Sequence, residues 1–219
     1  MGESVFDCDV RWLGRVGYEE TLTLQNELVE ERKKGDCPDT VLLLEHEAVY
    51  TIGRTLDQSS VKSEKALPHP LLEINRGGQG TYHGPGQLVV YPILDLNPLG
   101  RDLHVYLRAL EESLIDFCQA HGVSAGRRQG LTGVWVEDRK LASIGVGVRR
   151  WVSMHGLAMN VCGDLSPFGA ITPCGIAGVE MTSLELEDPS GGWDMERARS
   201  AYPTFLKKAL AVLAEKPGH

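Results

Sequence analysis

The chain lacks the features that mark secreted, membrane-spanning and disulfide-stapled proteins. Its N-terminus, MGESVFDCDV, has no basic segment followed by an apolar run. No apolar run approaches the roughly eighteen residues that a membrane-spanning helix needs. The five cysteines form an odd set without a C-x-x-C pair, which favours reduced thiols over a disulfide framework or a structural zinc site. We therefore expect a cytoplasmic protein with no membrane segment, no metal and at least one thiol that can react.

Positive charge is also in short supply. The 22 Lys and Arg residues face 30 Asp and Glu residues, a net charge of −8, so a polyphosphate would be repelled at long range and nucleic acid is not an expected partner. The 219 residues, 42% hydrophobic and 24% charged, fall in the globular range. One domain covering residues 1–219 is the expected organisation.

Hydrophobic patterning predicts an α+β fold with mixed, largely antiparallel sheets and flanking helices. The expected strands, rich in Leu and β-branched residues, are 5–12, 40–45, 71–75, 87–95, 133–137, 141–148 and 152–161. The expected helices are 18–33, 102–120 and 194–213. Short connections between the strands from 133 onward indicate a meander rather than a doubly wound βαβ unit. Pro203 should either kink the third helix or start a new turn.

A glycine-rich segment is the most unusual part of the sequence. Arg76-Gly-Gly-Gln-Gly-Thr-Tyr-His83-Gly-Pro-Gly86 has five glycines in eleven residues, and glycine permits both unusual dihedrals and close backbone approach to a ligand. The segment is either a loop that lines a pocket or a pair of tight turns. No G-x-x-x-x-G-K or G-x-G-x-x-G pattern is present, so the usual nucleotide signal is missing. His83 and His46 could face a cleft, although a lone histidine is more often a hydrogen-bonded structural side chain.

Cys174 is the best candidate for a nucleophile, and Cys162 is the second choice. Cys174 lies in Thr-Pro-Cys-Gly, where the flanking proline and glycine could present its sulfur at a fixed angle. A thiol needs a nearby cation or base to become nucleophilic at neutral pH. Lys140, at the start of an apolar strand, could supply that charge. Alternatively, Cys174 is an inert loop cysteine and Lys140 an ordinary strand-end lysine.

Several of these segments together resemble the lipoyl(octanoyl) transferases of lipoate biosynthesis. The resemblance covers nearly all of residues 8–186, and its specific parts are Arg76 to Pro92, Gly133-Val-Trp135, Lys140 to Gly145, Gly156 to Asn160 and Pro173-Cys174-Gly175. It implies the fold of the biotin and lipoate protein ligase catalytic domain and a catalytic dyad of Cys174 and Lys140. The substrate-contact residues that it implies are Arg76, Gly77, Gly78, Gln79, Gly80, Thr81, Tyr82, His83, Ser143, Ile144, Gly145, Gly156, Leu157 and Ala158.

The resemblance also implies a reaction and its partners. An octanoyl group would pass from acyl carrier protein to Cys174 as a thioester. It would then pass to a lysine of a lipoyl domain, as found in 2-oxoacid dehydrogenase complexes and in the glycine cleavage H protein. Lys140 would stabilise the thiolate and is a candidate to accept the proton of the attacking amine. No cofactor and no metal are required by this scheme.

Two other functions remain open on the sequence alone. An ATP-dependent lipoate or biotin ligase has the same fold, and a non-catalytic module could bind acylated carrier or lipoyl domains without transferring anything. A local excess of positive charge also lies between residues 127 and 150, made of Arg127, Arg128, Arg139, Lys140, Arg149 and Arg150 against Glu137 and Asp138. It is either a docking surface for an acidic carrier protein or a set of solvated strand ends.

Overall fold

Two β-sheets form the framework of the protein. The computed structural model describes residues 5–53, 67–74, 77, 79–172 and 178–215. In these ranges the strands are β1 (Asp9–Val16), β2 (Thr40–His46), β3 (Val49–Ile52), β4 (Leu71–Glu73), β5 (Thr81–His83), β6 (Gln87–Ile93), β7 (Gly126–Arg128), β8 (Leu131–Val136), β9 (Arg139–Arg149), β10 (Val152–Asn160) and β11 (Glu180–Met181). The helices are α1 (Tyr18–Lys34), α2 (Leu103–Ala120), α3 (Leu184–Glu187) and α4 (Met195–Glu215), with a 3-10 helix at Ser166–Ala170.

The larger sheet has the strand order β1-β2-β6-β10-β9-β8-β7, with β11 paired to β9. Its pairs are antiparallel except for β1 with β2 and β11 with β9. The smaller sheet has the order β4-β3-β5, with β4 parallel to β3 and β5 antiparallel to it. The prediction of mixed, largely antiparallel sheets with flanking helices is therefore confirmed.

Helices cover both faces of the larger sheet, which explains the nearly continuous apolar strands at its centre. On β6, Leu88 and Val90 pack in the cluster that contains residues of α2 and α4, whereas Val89 and Tyr91 pack in the cluster that contains Leu28 of α1. Alternate residues of a strand point to opposite faces, so α1 covers one face and the α2–α4 pair covers the other.

Local sequence signals explain where the long helices begin and end. The carboxylate of Asp102 accepts hydrogen bonds from the backbone N–H groups of His104 and Val105 and caps α2. Gly35, with φ of +82°, ends α1 in the left-handed conformation that glycine adopts at no steric cost. None of the helices in the described ranges is long and apolar enough to cross a membrane.

Helices and long strands follow the sequence prediction closely, but several short elements were not predicted. The first strand is Asp9–Val16 rather than 5–12, and α4 continues through Pro203 as one helix from Met195 to Glu215. The strands β3, β5, β7 and β11 and the helix α3 lie in segments that the sequence analysis left as connections. The smaller sheet, formed by β3 to β5, is thus largely a finding of the structure.

Candidate active site

A narrow cavity of about 50 Å³ opens between the smaller sheet, the start of α1 and the central strands β9 and β10. Its lining residues are Tyr18, Gln79, Thr81, His83, Tyr91, Ser143, Ile144, Gly145, His155, Gly156, Leu157 and Ala158. Three separate parts of the predicted substrate-contact set therefore meet around one space. They converge because β9 and β10 pair in antiparallel register, with Gly145 opposite Gly156 and Ser143 opposite Ala158.

The remaining predicted contact residues lie around this cavity or outside the described ranges. Gly77 donates its backbone N–H to the carbonyl of Val146 on β9, 3.2 Å away. Gly80 is buried just before β5, and the ring of Tyr82 packs against Tyr50 and Phe168 instead of lining the cavity. Three predicted residues, Arg76, Gly78 and the proposed nucleophile Cys174, lie outside the described residues.

Glycine is required at position 156 by the close approach of a neighbouring strand. A Cβ atom placed on Gly156 would lie 2.2 Å from the backbone oxygen of Val90 and 2.7 Å from Cδ of Pro92. The residue before it, His155, has a φ of +57°. The backbone N–H of His155 donates a hydrogen bond to Oε1 of Gln25 at 2.8 Å. A left-handed residue inside a strand at a cavity wall is typical of functional sites.

Histidine and tyrosine side chains form a buried cluster beside the cavity. His46, fully buried, contacts the backbone oxygen of Val16 through Nδ1 at 3.0 Å and the hydroxyl of Tyr91 through Nε2 at 2.8 Å. Its ring lies 4.8 Å from that of Tyr18 and 5.6 Å from that of His83. Burial lowers the pKa of His46 to about 4, so its ring is neutral at physiological pH.

Lys140 is buried and opens onto a second cleft of about 360 Å³. This cleft shares Gln79, Ile144 and Gly145 with the narrow cavity, so the two spaces adjoin. Leu103, Leu107, Leu131, Ile144 and Val146 give the second cleft a largely apolar wall. The ammonium of Lys140 lies 5.2 Å from the ring centroid of Trp135, and the π-face of an indole offsets part of the cost of burying a cation.

A β-bulge directs the side chain of Lys140 into this second cleft. Val134 pairs with Ala142 and Trp135 with Lys140, so Leu141 is an extra residue on β9, and bulges of this kind redirect side chains next to active sites. Gly133, with φ of +119°, forms the facing wall: a Cβ there would lie 2.5 Å from the oxygen of Ala142 and 2.9 Å from Cε of Lys140.

A buried carboxylate holds this wall in place. Oε1 of Glu111 on α2 accepts the backbone N–H of Gly133 at 3.1 Å. Its other oxygen, Oε2, accepts hydrogen bonds from Arg108 at 2.5 Å and from Arg127 at 2.9 Å. The side chain of Glu111 is only 1% exposed, and a buried carboxylate requires such partners.

We predict that Gly133→Ala will impair activity more than its loss of stability explains. The new methyl group would meet backbone and Lys140 atoms at once, and the left-handed dihedral alone costs about 1–3 kcal/mol for a residue with a side chain. Gly122→Ala is the matched control, because Gly122 has φ of +82° but no atom within 4 Å of its added Cβ. Urea unfolding should show both variants destabilised. Beyond the loss of folded protein, only Gly133→Ala should lose the transfer activity that the sequence resemblance implies. Equal activity in the two variants would contradict the role assigned to Gly133.

The four cysteines in the described ranges, Cys8, Cys37, Cys118 and Cys162, are free thiols. Burial raises the pKa of Cys8 to about 11 and that of Cys118 to about 12. The pKa values of Cys37 and Cys162 are also raised, in each case chiefly by burial. All four therefore stay protonated at neutral pH, which makes them poor nucleophiles.

Comparison with known proteins identifies the family. The family model of the lipoyl protein ligase A/B catalytic domain matches residues 17–202. The chain belongs to this family. It is 54% identical to an octanoyltransferase of Geobacter sulfurreducens over 205 residues, which cover 94% of this chain and 86% of the relative. It is 51% identical to the octanoyltransferase of Geobacter metallireducens over 207 residues, which cover 93% and 96% of the two chains. The predicted resemblance is confirmed.

Solved structures of lipoate protein ligases and of biotin protein ligases share the fold. The bipartite lipoate protein ligase of Thermoplasma acidophilum superposes with a TM-score of 0.73 at 16% identity, covering 94% of this chain and 84% of that one. Lipoate-protein ligase A bound with ATP gives 0.70 at 14% identity, covering 99% and 88%. The biotin protein ligase of Aquifex aeolicus gives 0.52 at 13% identity, covering 96% and 72%. At these identities the likeness concerns the fold alone.

Three cavity residues were missed by the sequence analysis: Tyr18, Tyr91 and His155. Tyr18 was interpreted only as the first residue of a helix and Tyr91 as part of an apolar strand. His155 was covered only by the general rule that a lone histidine is more often a structural side chain. The sequence carried one usable signal, since His155 directly precedes Gly156 in a segment already assigned to substrate contact.

Within the ranges that the structure describes, no three His, Cys, Asp or Glu side chains are grouped so that they could hold a metal ion.

Proposed function

We propose that this protein transfers an octanoyl group from acyl carrier protein to a lysine of a lipoyl domain, through a thioester on Cys174 assisted by Lys140. The reaction would take place in the cytoplasm. The observation that carries the proposal is a buried lysine, Lys140, beside the cavity on which the predicted substrate-contact segments converge. The names of the two Geobacter relatives, at 51–54% identity over nearly the whole chain, support the acyl group and the reaction type.

Chain connectivity supports pairing Cys174 with Lys140. Cys174 precedes Gly178 by four positions, so the two Cα atoms are at most about 14 Å apart. Shortly after Gly178, Met181 pairs directly with Lys140, and the backbone N–H of Thr182 donates to the carbonyl of Lys140 at 3.0 Å. On the other side of Cys174, Ile171 is buried in the same apolar cluster as Met181. The described residues that flank Cys174 are thus tied to the part of the fold that carries Lys140.

The proposed chemistry needs only side chains of the chain itself. The Cys174 thiolate attacks the carbonyl carbon of the carrier's thioester, and the carrier's thiol leaves. The lysine amine of the acceptor then attacks the new thioester, forms an amide and releases the sulfur. Exchange between thioesters is nearly balanced in free energy and formation of the amide is favourable, so no activation by ATP is required. The apolar wall of the second cleft is suited to burying a saturated chain, at about 0.8 kcal/mol per methylene.

The rival function with the same fold is an ATP-dependent ligase. We predict that octanoyl transfer from acyl carrier protein to an isolated lipoyl domain proceeds in the presence of EDTA and without nucleotide. The acceptor should gain one octanoyl group, measured by intact mass, at a rate that added ATP and Mg²⁺ do not change. The matched reaction, with free octanoic acid in place of the carrier thioester, should give no product. A strict requirement for ATP and Mg²⁺ would overturn the transferase assignment, and binding without any transfer would support the non-catalytic module.

The predicted basic surface is partly neutralised in the structure. Arg127 pairs with Glu111 and Glu112, Arg128 with Asp138, and Arg139 with Glu137 and Glu187. Arg149 donates to the side-chain oxygen of Asn26 at 2.8 Å, and Arg150 is exposed in the turn between β9 and β10. These last two arginines remain the candidates for attracting an acidic carrier.

We therefore predict that charge reversal of Arg149 and Arg150 to glutamate slows association with octanoyl-carrier protein and weakens the dependence of that rate on salt. Stopped-flow association measured from about 20 to 300 mM salt, a range over which screening becomes strong, tests this. Arg199→Glu is the control, since this arginine lies on α4, across the sheet from α1. Equal association rates of wild type and the double variant at low salt would show that these two arginines do not contribute to carrier docking.

A further inference from the structure

Strand β8 departs from regular pairing around Gly133. On the β7 side, Arg127 alone lies opposite residues 132–134 of β8. Gly133 is buried and has φ of +119°, a conformation that residues with a side chain rarely adopt. A buried backbone N–H without a partner is costly, so an interrupted strand of this kind needs a hydrogen-bond partner from outside the sheet.

The carboxylate of Glu111 on α2 is that partner. Its Oε1 accepts the backbone N–H of Gly133 at 3.1 Å. Its Oε2 accepts hydrogen bonds from Arg127, the residue opposite this part of β8, and from Arg108 on α2. Two cationic donors hold Oε2 on the arginine side, which leaves Oε1 to face Gly133. The side chain of Glu111 is 1% exposed, so these bonds are shielded from competition with water.

Gly133 in turn lies against the end of the Lys140 side chain. A Cβ atom placed on Gly133 would lie 2.9 Å from Cε of Lys140 and 3.4 Å from its Nζ. The ammonium also lies 5.2 Å from the ring centroid of Trp135. Lysine has a long, flexible side chain, so close contacts at its end restrict the positions that the ammonium can take. A shift of the Gly133 backbone would therefore change where the ammonium lies.

We propose that Glu111 is a positioning residue for Lys140, because it fixes the backbone of Gly133 against the end of the lysine side chain. The alternative is that Glu111 only ties α2 to the sheet, in which case its replacement would lower stability without moving the ammonium.

Replacement of Glu111 by glutamine separates these two roles. The two arginine donors would attract the amide oxygen of the glutamine, so its NH2 group would face the N–H of Gly133, donor against donor. Glu111→Gln thus keeps the shape of the side chain and loses the bond to Gly133. Glu112→Gln is the matched control, since it makes the same change one residue further along α2. The carboxylate of Glu112 also pairs with Arg127, and no hydrogen bond joins it to Gly133.

Carbon-13 labelling of the lysine Cε atoms tests the position of Lys140 without any substrate. The Lys140 signal, assigned by its absence from Lys140→Met, should be displaced by the ring current of Trp135. It should also show a nuclear Overhauser contact with the α protons of Gly133. Both features should change in Glu111→Gln and stay as in wild type in Glu112→Gln. An unchanged Lys140 signal in folded Glu111→Gln would overturn the inference.

A second variant keeps the test decisive if Glu111→Gln does not fold. Arg127→Met leaves the carboxylate in place and removes one of the two donors that orient it. The Lys140 signal should then move in this variant, and a signal identical to that of wild type would contradict the positioning role.

A double-mutant cycle tests the consequence for the reaction, which rests on the proposed function. Glu111→Gln should slow single-turnover formation of the acyl-enzyme by about 10- to 100-fold, as a misplacement of about 1 Å can. In the Lys140→Met background the same change should cost less than about 2-fold, because a residue that acts through Lys140 then has nothing to position. Urea unfolding corrects all rates for the folded fraction.

Equal losses in the two backgrounds would show that Glu111 does not act through Lys140 and would overturn the inference. A wild-type protein that forms no acyl-enzyme would instead contradict the proposed function, and the carbon-13 spectra would still decide whether Glu111 positions Lys140.

Discussion

Replacement of Cys174 by serine is expected to lower octanoyl transfer by about 10³-fold or more while binding of the carrier protein persists. A hydroxyl is far less ionised than a thiol at neutral pH, and a neighbouring ammonium can assist its ionisation only modestly. Turnover measured with octanoyl-carrier protein and a lipoyl domain gives the rate, and a direct binding measurement gives the affinity. Cys162→Ser is the matched control, because Cys162 is the other cysteine that the sequence favoured. This variant should transfer at the wild-type rate.

The companion experiment identifies the nucleophile directly. Mixing the protein with octanoyl-carrier protein and no acceptor should add one octanoyl group, and peptide mapping should locate it on Cys174. The other four thiols should stay unmodified, since burial raises the pKa of Cys8, Cys37, Cys118 and Cys162 above the ordinary value. An adduct on Cys162, or full activity in Cys174→Ala, would refute the assignment.

The parts of the fold that the sequence predicted are those governed by local patterning. The sequence predicted a helix over 102–120, and the structure has α2 there, with Leu110, Leu114 and Phe117 buried. The central strands β6 and β10 stand out because helices cover both faces, which requires continuous apolar runs. Propensity alone places such elements well.

The elements that were not predicted from the sequence are those that depend on pairing with distant residues. Strand β5 has only three residues, Thr81–His83, and is a strand because it pairs with Val49 to Thr51. Strand β11 exists because Glu180 and Met181 extend the sheet beside Arg139 and Lys140. No local signal encodes such pairing, and glycines around β5 favoured a loop instead.

In the candidate site, too, the features set by local sequence were predicted and those that depend on distant partners were not. Motif resemblance predicted which backbone segments surround the cavity, and nine of the predicted contact residues line it. Glu111 could not be predicted as the support of Gly133, because the two are 22 positions apart and meet only through packing of α2 on β8. The hydrogen bond from Nε2 of Gln87 to Oδ1 of Asn160 is oriented by the backbone oxygens of Tyr82 and Thr182. The positions of these two oxygens follow only from the assembled sheet.

Removal of the Lys140 ammonium is expected to slow both steps of transfer, by about 10²- to 10³-fold, within the range for a positioned acid or base. Lys140 is 1% exposed, and its side chain lies over Trp135 and next to Gly133. Lys140→Ala would leave a void there, so Lys140→Met, which keeps most of the aliphatic volume, separates loss of charge from loss of packing. Lys33→Met is the control, as Lys33 pairs with Glu30 on the exposed side of α1. Single-turnover formation and decay of the acyl-enzyme measure the two steps.

The pH dependence of Lys140→Met gives the sharper readout, because its direction follows from the sign of the charge. A nearby cation favours the thiolate and lowers the pKa of a thiol, so losing the cation should let the pKa of Cys174 return toward the ordinary cysteine value. The thiolate fraction of the variant then keeps rising through the weakly alkaline range, where that of the wild type has already levelled off. The rate of acyl-enzyme formation should therefore climb more steeply with pH in Lys140→Met than in wild type. Parallel pH profiles would show that Lys140 does not act on the thiol, even if the variant were slow.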